Sequence, residues 1–352
     1  MRGRGERLEK LLGERELDRM LVTDLVNVRY LTGFTGTNGA CVCGPDLRLF
    51  FTDFRYTERA ATEVEGWEPI TVEGDWLASI AERLEGRVGF EDDHMSVRSL
   101  EKLKEKLGEG VEAVAAGGTV ERLRRVKDDE ELAAIEAASK LADEVWVWSV
   151  ERGLAGRSER DVARAAEARI RELGGDPSFP AIVAAGPNGA LPHAEPGERE
   201  IGSGELVVFD MGAMLDGYCS DGTRTYATGD PGGEAREIYG VVLEAQLAAL
   251  EAVKAGAKGE EVDAVARKVI DAAGHGKRFG HGLGHGVGLE VHEAPRLSPR
   301  ADDVLEPGEV VTVEPGIYLP GRLGVRIEDF VVVTEDGYRN LSALPKDLQL
   351  VD

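Results

Sequence analysis

The apolar positions of this chain change period along its length, and the changes mark out its elements. Leu8, Leu11, Leu12 and Leu17 recur at helical spacing, so residues 6–19 read as an amphipathic helix. Met20 to Thr23, Gly39 to Cys43 and Leu47 to Phe51 read as short strands. Helices are expected from the Thr52-Asp53 cap to about Glu65, from Asp75 to about Leu84, and near Ser96 to Leu107. Val88 to Phe90 and Val111 to Val114 complete an α/β pattern able to build its own core. Asn27 to Phe34 reads as a turn, and His94 stands alone and reads as structural. Gly117-Gly118-Thr119 marks a boundary, giving expected domains 1–120 and 121–352.

Beyond the boundary the pattern is longer and repeats. A helix with Asp128, Asp129, Glu130 and Glu131 at its start runs to about Arg152, as the helix dipole favours. A second, capped by Ser158, ends at Gly174-Gly175. An irregular loop carrying His193 follows, then two strands, about Glu205 to Leu215 and Gly217 to Thr228, closing on Asp216-Gly217. Helices from about Gly233 to Gly256 and Gly259 to Gly274 come next. A glycine- and histidine-rich loop and strands Val310 to Leu319 and Gly324 to Thr334 follow them. Gly156 and Gly256 stand as far apart as Gly174 and Gly274, so helix–helix–loop–hairpin occurring twice predicts two halves with pseudo-twofold symmetry.

Composition narrows the function. Apolar content of 42% with 31% charged residues is an ordinary globular mix, and 352 residues suit two domains. A net charge of -24 argues against nucleic acid, which calls for a basic face. No apolar run is long enough for a membrane span, and none follows the N-terminus as a secretory signal would, so a cytoplasmic protein is expected. Cys41, Cys43 and Cys219 cannot form a disulfide framework and read as packed thiols.

The chemistry gathers in the second domain. Gly280-His281-Gly282-Leu283-Gly284-His285-Gly286-Val287-Gly288-Leu289-Glu290-Val291-His292-Glu293 holds three of the six histidines. Asp210 ends the apolar run Leu206 to Phe209; the hairpin register puts Asp221 opposite Gly212, on the face of Asp210. Glu314 ends Val310 to Val313, and Glu328 stands between Ile327 and Phe330. Burying such charges demands counter-ions or metal. An ion pair between Arg326 and Glu328 explains two of these residues and leaves the others unaccounted for. Asp210, Asp221, Glu314, Glu328 and His285 together make an oxygen-rich shell with one nitrogen, suited to Mn²⁺, Co²⁺, Zn²⁺ or Fe²⁺. Five ligands suit two ions ~3.5–4 Å apart.

Five ordered segments carry a resemblance. Asp210-Met211-Gly212-Ala213, Tyr218 to Thr225, Gly280 to Glu293, Val313 to Tyr318 and Val325 to Asp329 are similar to the motifs of the aminopeptidase P/prolidase family. These are dinuclear metallopeptidases of the pita-bread fold, and the first third of the chain resembles their creatinase-type N-terminal domain. The resemblance implies two divalent ions per subunit, Mn²⁺ foremost, held by Asp210, Asp221, His285, Glu314 and Glu328, with Asp221 and Glu328 bridging. It further implies attack by a metal-bound hydroxide on the carbonyl before proline, with Glu314 handling the proton. His193 and His292 match histidines that contact substrate and stabilise the tetrahedral intermediate, His281 matches one lining the pocket, and Arg326 braces the ligand shell. A homodimer is expected, with Tyr30 and Phe34 as contacts to the neighbouring subunit.

Within the family, aminopeptidase P removes the residue before proline from peptides of any length, and prolidase accepts only the dipeptide. Arg296 is placed to neutralise a free carboxylate beside the proline ring, but an arginine there also occurs in aminopeptidases. The expectation is an Xaa-Pro aminopeptidase, with prolidase the alternative and a non-catalytic binding module on the same fold the second. Five intact ligands count against creatinase and against the module, and the N-terminal domain against methionine aminopeptidase.

Overall fold

A computed structural model describes residues 3–352, which divide into two compact units between Arg124 and Arg125. The first unit is built on a six-stranded mixed sheet in the order Glu68–Thr71, Leu47–Thr52, Ala40–Gly44, Arg19–Val22, Arg87–Phe90, Glu112–Ala115. Leu21, Val42, Leu49, Phe51 and Val88 from the sheet pack with Ile80 and Leu103 from the helices. The strand Glu68–Thr71 has no buried position and contains Pro69, so it lacks the apolar alternation by which a strand is read.

Two readings in this unit are corrected. Residues Leu25–Thr32 form a helix rather than a turn: Asp24 caps it by accepting the Val26 N–H at 3.0 Å, and Gly33 ends it. Tyr30 and Phe34 are buried inside the unit and cannot meet a neighbouring subunit. The Tyr30 hydroxyl accepts from Arg7 and donates to the Leu123 carbonyl, both at 3.0 Å, and Phe34 packs on Phe50 with ring centroids 4.7 Å apart. Cys41 and Cys43 are packed free thiols; burial pushes Cys43 up to about 12 and Cys41 well above the ordinary thiol value. The helix expected from Asp53 opens as a 3₁₀ turn, Phe54–Tyr56, before Thr57–Glu63. His94 is half-exposed, 3.9 Å from Asp24.

The second unit contains the repeat. Helices Asp129–Val150 and Glu159–Glu172 precede one hairpin, and Gly233–Ala252 and Gly259–Ala272 precede the other. Each half has its own apolar core, one around Trp146, Ile170 and Phe209, the other around Val242, Ile270 and Val331. Gly156 and Gly256 have φ of 78° and 79°, and Gly174 and Gly274 have 89° and 83°. Backbone geometry is therefore repeated where side-chain identity is not.

The hairpins are where structure departs most usefully from pattern. Asp216 and Gly217 both have positive φ, as a type I′ turn requires, and the expected register runs the whole length: Leu215 faces Tyr218 and Asp210 faces Thr223. Yet each arm, expected as one strand, is two. The first hairpin opens between Asp210 and Ala213 and between Cys219 and Thr223, and the second between Val313 and Gly316 and between Arg326 and Asp329. Pro315 has no N–H to give the ladder. At Gly212 a Cβ would stand 1.9 Å from the Ser220 carbonyl oxygen, so only glycine permits that approach. Asp210, Asp221, Glu314 and Glu328 all sit at these four openings.

The histidine-rich segment is not a loop throughout. Gly284–Gly286 is a short strand between Val310–Val313 and Glu293–Leu297, with a register shift after His285. The halves meet where Thr223 bridges to Glu328. No described helix is long and apolar enough to cross a membrane.

Gly212→Ala is expected to cost about 1–3 kcal/mol by forcing the Ser220 carbonyl away. Thermal unfolding checks it: a Tm within a degree or so of the parent would mean that the opening is not held by that contact.

Candidate metal centre

The ten residues singled out from the sequence line one cavity of about 490 Å³: His193, Asp210, Asp221, His281, His285, His292, Arg296, Glu314, Arg326 and Glu328. The floor comes from the hairpin openings and the short strand. Asp210, Asp221, His285 and Glu328 are buried there, while the Glu314 side chain keeps 18% of its surface exposed. Asp221, His285 and Glu328 each bring one ligand atom within 4.8 Å of the others. His285 Nε2 is 3.5 Å from both Asp221 Oδ2 and Glu314 Oε1, beyond hydrogen-bond length. His285 Nδ1 faces the Gly286 carbonyl at 3.0 Å, so it carries the proton and leaves the Nε2 lone pair free. Burial drives the His285 pKa down to about 3, so the ring is neutral and the pair with Asp221 is not an ion pair.

Charge decides what this floor can hold. Burial raises the pKa of all four carboxyls: Asp210, Asp221 well above its usual range, Glu328 likewise, and Glu314 to about 8. After burial, Asp210 and then Glu314 act on Asp221, and Asp221 acts on Glu328. The opposing cation is Arg326, itself buried, with its Nη2 on Asp210 Oδ2. One guanidinium cannot balance four carboxylates, and Asp210 Oδ1 is buried with no hydrogen-bond partner. A neutral imidazole lone pair, an orphaned carboxylate oxygen and three further carboxylates are the donor set of hard to borderline divalent cations. Two such ions would supply the missing positive charge. The residues fit them.

Thr223 and Tyr318, assigned no role from the sequence, join Arg326 and His281 in holding the floor in place. Thr223 Oγ1 donates to Glu328 Oε2 at 2.8 Å and accepts from Arg326 Nε at 3.0 Å, so the ion pair considered between Arg326 and Glu328 is replaced by a hydroxyl bridge. Arg326 Nη1 reaches the Tyr318 hydroxyl and the Pro192 carbonyl at 3.0 and 3.1 Å. The latter bond anchors the loop that presents His193. His281 Nδ1 lies 2.8 Å from the Gly282 carbonyl and Nε2 lies 2.9 Å from the Tyr318 hydroxyl. Both nitrogens are engaged, and burial lowers the His281 pKa to about 4, so this ring orients Tyr318 as a neutral acceptor. Thr223 faces Asp210 across the hairpin and Tyr318 lies in the strand paired with Arg326's strand, so pairing register is the signal that finds them. His193, His292 and Arg296 are exposed at the rim, and Phe179, Ile182 and Val291 supply apolar wall.

Comparison with known proteins agrees with this geometry. Residues 133–335 match the model of metallopeptidase family M24, and residues 4–126 match the creatinase/prolidase N-terminal domain. The chain is 38% identical over 351 residues to the Xaa-Pro dipeptidase of Pyrococcus furiosus, covering 99% of this chain and 100% of the other. Among solved structures, the Xaa-Pro dipeptidase from Bacillus anthracis superposes with a TM-score of 0.96 at 40% identity, covering 99% of each chain. The X-Pro aminopeptidase from Thermotoga maritima MSB8 gives 0.92 at 35%, covering 98% of this chain and 100% of that one.

The raised carboxyl pKa values fix the sign of a pH effect. A carboxyl with a higher pKa folded than unfolded costs nothing below its unfolded value and its full penalty above its folded value. Chelator-treated protein is therefore expected to lose stability as pH rises from about 5 to about 9, with Glu314 titrating near 8. Divalent cation should remove that slope, because the ion takes the deprotonated form. Thermal unfolding against pH with and without cation checks this, and identical slopes would mean that no ion binds the cluster.

Proposed function

The chain belongs to metallopeptidase family M24, and from that premise we propose that it is an Xaa-Pro dipeptidase acting through Asp210, Asp221, His285, Glu314 and Glu328 as ligands of two divalent ions. The observation that carries the dipeptide reading is Arg296. Its side chain lines the cavity rim, and among the described residues its guanidinium makes no hydrogen bond or ion pair. A free guanidinium beside a peptide site suits a free substrate carboxylate, and bidentate pairing gives it both energy and geometry. The dipeptidase names among the relatives support this alternative over the aminopeptidase expectation. The Thermotoga maritima likeness keeps the aminopeptidase as the second reading.

The two ions, when bound, supply Lewis acidity to the scissile carbonyl and to water, the help that amide hydrolysis needs near neutral pH. This chain's residues do the rest. Glu314, the least buried carboxyl of the floor, takes up and returns a proton. His292, its pKa lowered by partial burial and then by Arg296 and His193, is the neutral ring that donates an N–H towards the oxygen that gains charge. His193, on the loop held by Arg326, steadies the substrate from the other side. Arg326, Thr223 and Tyr318 hold the carboxylates in register and touch no substrate. Phe179, Ile182 and Val291 offer apolar wall to the proline ring and its neighbour.

A matched Xaa-Pro dipeptide and Xaa-Pro tripeptide, assayed with Mn²⁺ or Co²⁺, test this reading. The dipeptide is expected to be the better substrate in kcat/KM by at least about 100-fold. Arg296→Ala is expected to raise the dipeptide KM about 10–100-fold with a smaller change in kcat. Equal turnover of both peptides would restore the aminopeptidase, and hydrolysis of neither would leave the binding module.

A further inference from the structure

Two cations next to the chain boundary, Lys127 buried and Arg125 half-buried, are not absorbed by this mechanism. Arg125 and Lys127 lie in the first residues of the second unit, far in sequence from the cavity, yet both are tied to the strand that carries Arg296. Lys127 has 1% of its side chain exposed, and Nζ reaches Glu293 Oε2 at 3.4 Å and the Arg125 carbonyl at 3.1 Å. Glu293, itself 5% exposed, opens the strand Glu293–Leu297. Its other oxygen accepts the Glu290 N–H at 3.0 Å, closing the turn that presents His292. Arg125 Nη1 reaches Asp303 Oδ1 at 2.7 Å, Nη2 reaches the Val304 carbonyl at 2.8 Å, and Nε lies on the buried Glu309. Asp303 Oδ2 in turn accepts the Arg296 N–H at 3.0 Å.

We propose that Arg125 and Lys127 are positioning residues that grip the strand Glu293–Leu297 at two points and so fix His292 and Arg296 over the floor. Lys127 acts through Glu293 on the His292 turn, and Arg125 acts through Asp303 on the Arg296 backbone. The strand needs such a grip. It lies at the edge of its sheet, and its pairing with Gly284–Gly286 shifts register after His285, so the ladder holds it weakly just where the rim residues stand. A neutral pair would not serve as well. Glu293, which is buried, and Asp303, which is partly exposed, each accept a backbone N–H, and each carboxylate is met by a facing cation. The roles given to His292 and Arg296 rest on the function proposed above; the grip itself does not.

Hydrogen exchange by mass spectrometry on the full chain reads the grip without substrate. In Lys127→Met and Arg125→Gln, peptides spanning residues 287–297 are expected to exchange at least about tenfold faster, with residues 206–227 unchanged. Arg125→Lys, which keeps charge but loses the fork, should recover part of the protection. Bound cation per chain should stay at the parent value, and the dipeptide KM should rise about 10–100-fold, more than kcat falls. Should Lys127→Met fail to fold, Lys127→Met/Glu293→Gln removes both charges at similar volume and should show the same faster exchange. Unchanged exchange at 287–297 in folded variants overturns the grip whatever the substrate. Faster exchange in a protein that hydrolyses no Xaa-Pro peptide overturns the proposed function and leaves the grip standing.

Discussion

Four carboxylates, three of them buried, gathered around one buried arginine are the constraint from which the second unit follows. Like charges at such proximity in a low-dielectric floor are tolerated only if their positions are imposed from outside and their charge is met by cations. Imposition comes from the hairpins, which open where each carboxylate must point inwards. In a continuous ladder, alternate side chains would face opposite sides of the sheet and neighbouring carboxyls would stand in pairing register. The openings at Gly212 and Pro315 free the backbone to turn four carboxyls and one imidazole towards one volume. Backbone groups beside the openings still need partners, and the Thr225 hydroxyl serves those of Arg326 across the junction of the halves, donating to its carbonyl and accepting from its N–H.

Arg326 is central because it acts on both parts of the site. It offsets charge on Asp210, holds Thr223 against Glu328, and through the Pro192 carbonyl fixes the loop that carries His193. One planar fork with five donors can do this, and an ammonium cannot. Tyr318 and His281 extend the network: the His281 tautomer follows from the Gly282 carbonyl, and it sets the Tyr318 hydroxyl to donate to the ring and accept from Arg326. The burial that lowers the His281 pKa is thus part of the positioning, since a protonated ring would reverse that bond.

Much of this was legible in the sequence because buried charges leave a local mark. Asp210 at the end of Leu206 to Phe209 and Glu314 at the end of Val310 to Val313 contradict their apolar neighbours, and only a site resolves the contradiction. The hairpin register was legible too, since Asp216-Gly217 suits the type I′ turn that both positive φ values then show. The strand openings were not: alternation continues through them, and a carbonyl's approach to Gly212 leaves no periodic trace. Thr223 and Tyr318 were hidden for another reason. A threonine and a tyrosine in strands satisfy ordinary β propensity, so nothing local distinguishes a bridging hydroxyl from a packed one. The Leu25–Thr32 helix was lost because Asn27, Arg29 and Thr32 blur its apolar stripe, while the partners of buried Asn27 are Glu91, Glu121 and Arg124, far along the chain. Tyr30 and Phe34 then looked exposed only because the element that buries them was not seen.

The floor and the rim answer to different physics, and specificity belongs to the rim. Floor residues are held by paired strands, buried bonds and mutual charge, so their geometry tolerates little variation without loss of the ions. His193, His292 and Arg296 stand on loops and on an edge strand, where backbone can shift without disturbing Asp221 or Glu328. A family with one chemistry and several peptide lengths should therefore differ where the chain is least constrained. In this chain the constraint at the rim is Glu293 and Asp303, two acids that convert a weak ladder into a fixed platform because Lys127 and Arg125 meet their charge. The choice proposed between a free carboxylate and a continuing peptide rests on Arg296, whose backbone N–H is held by Asp303 and whose head group no other described residue claims.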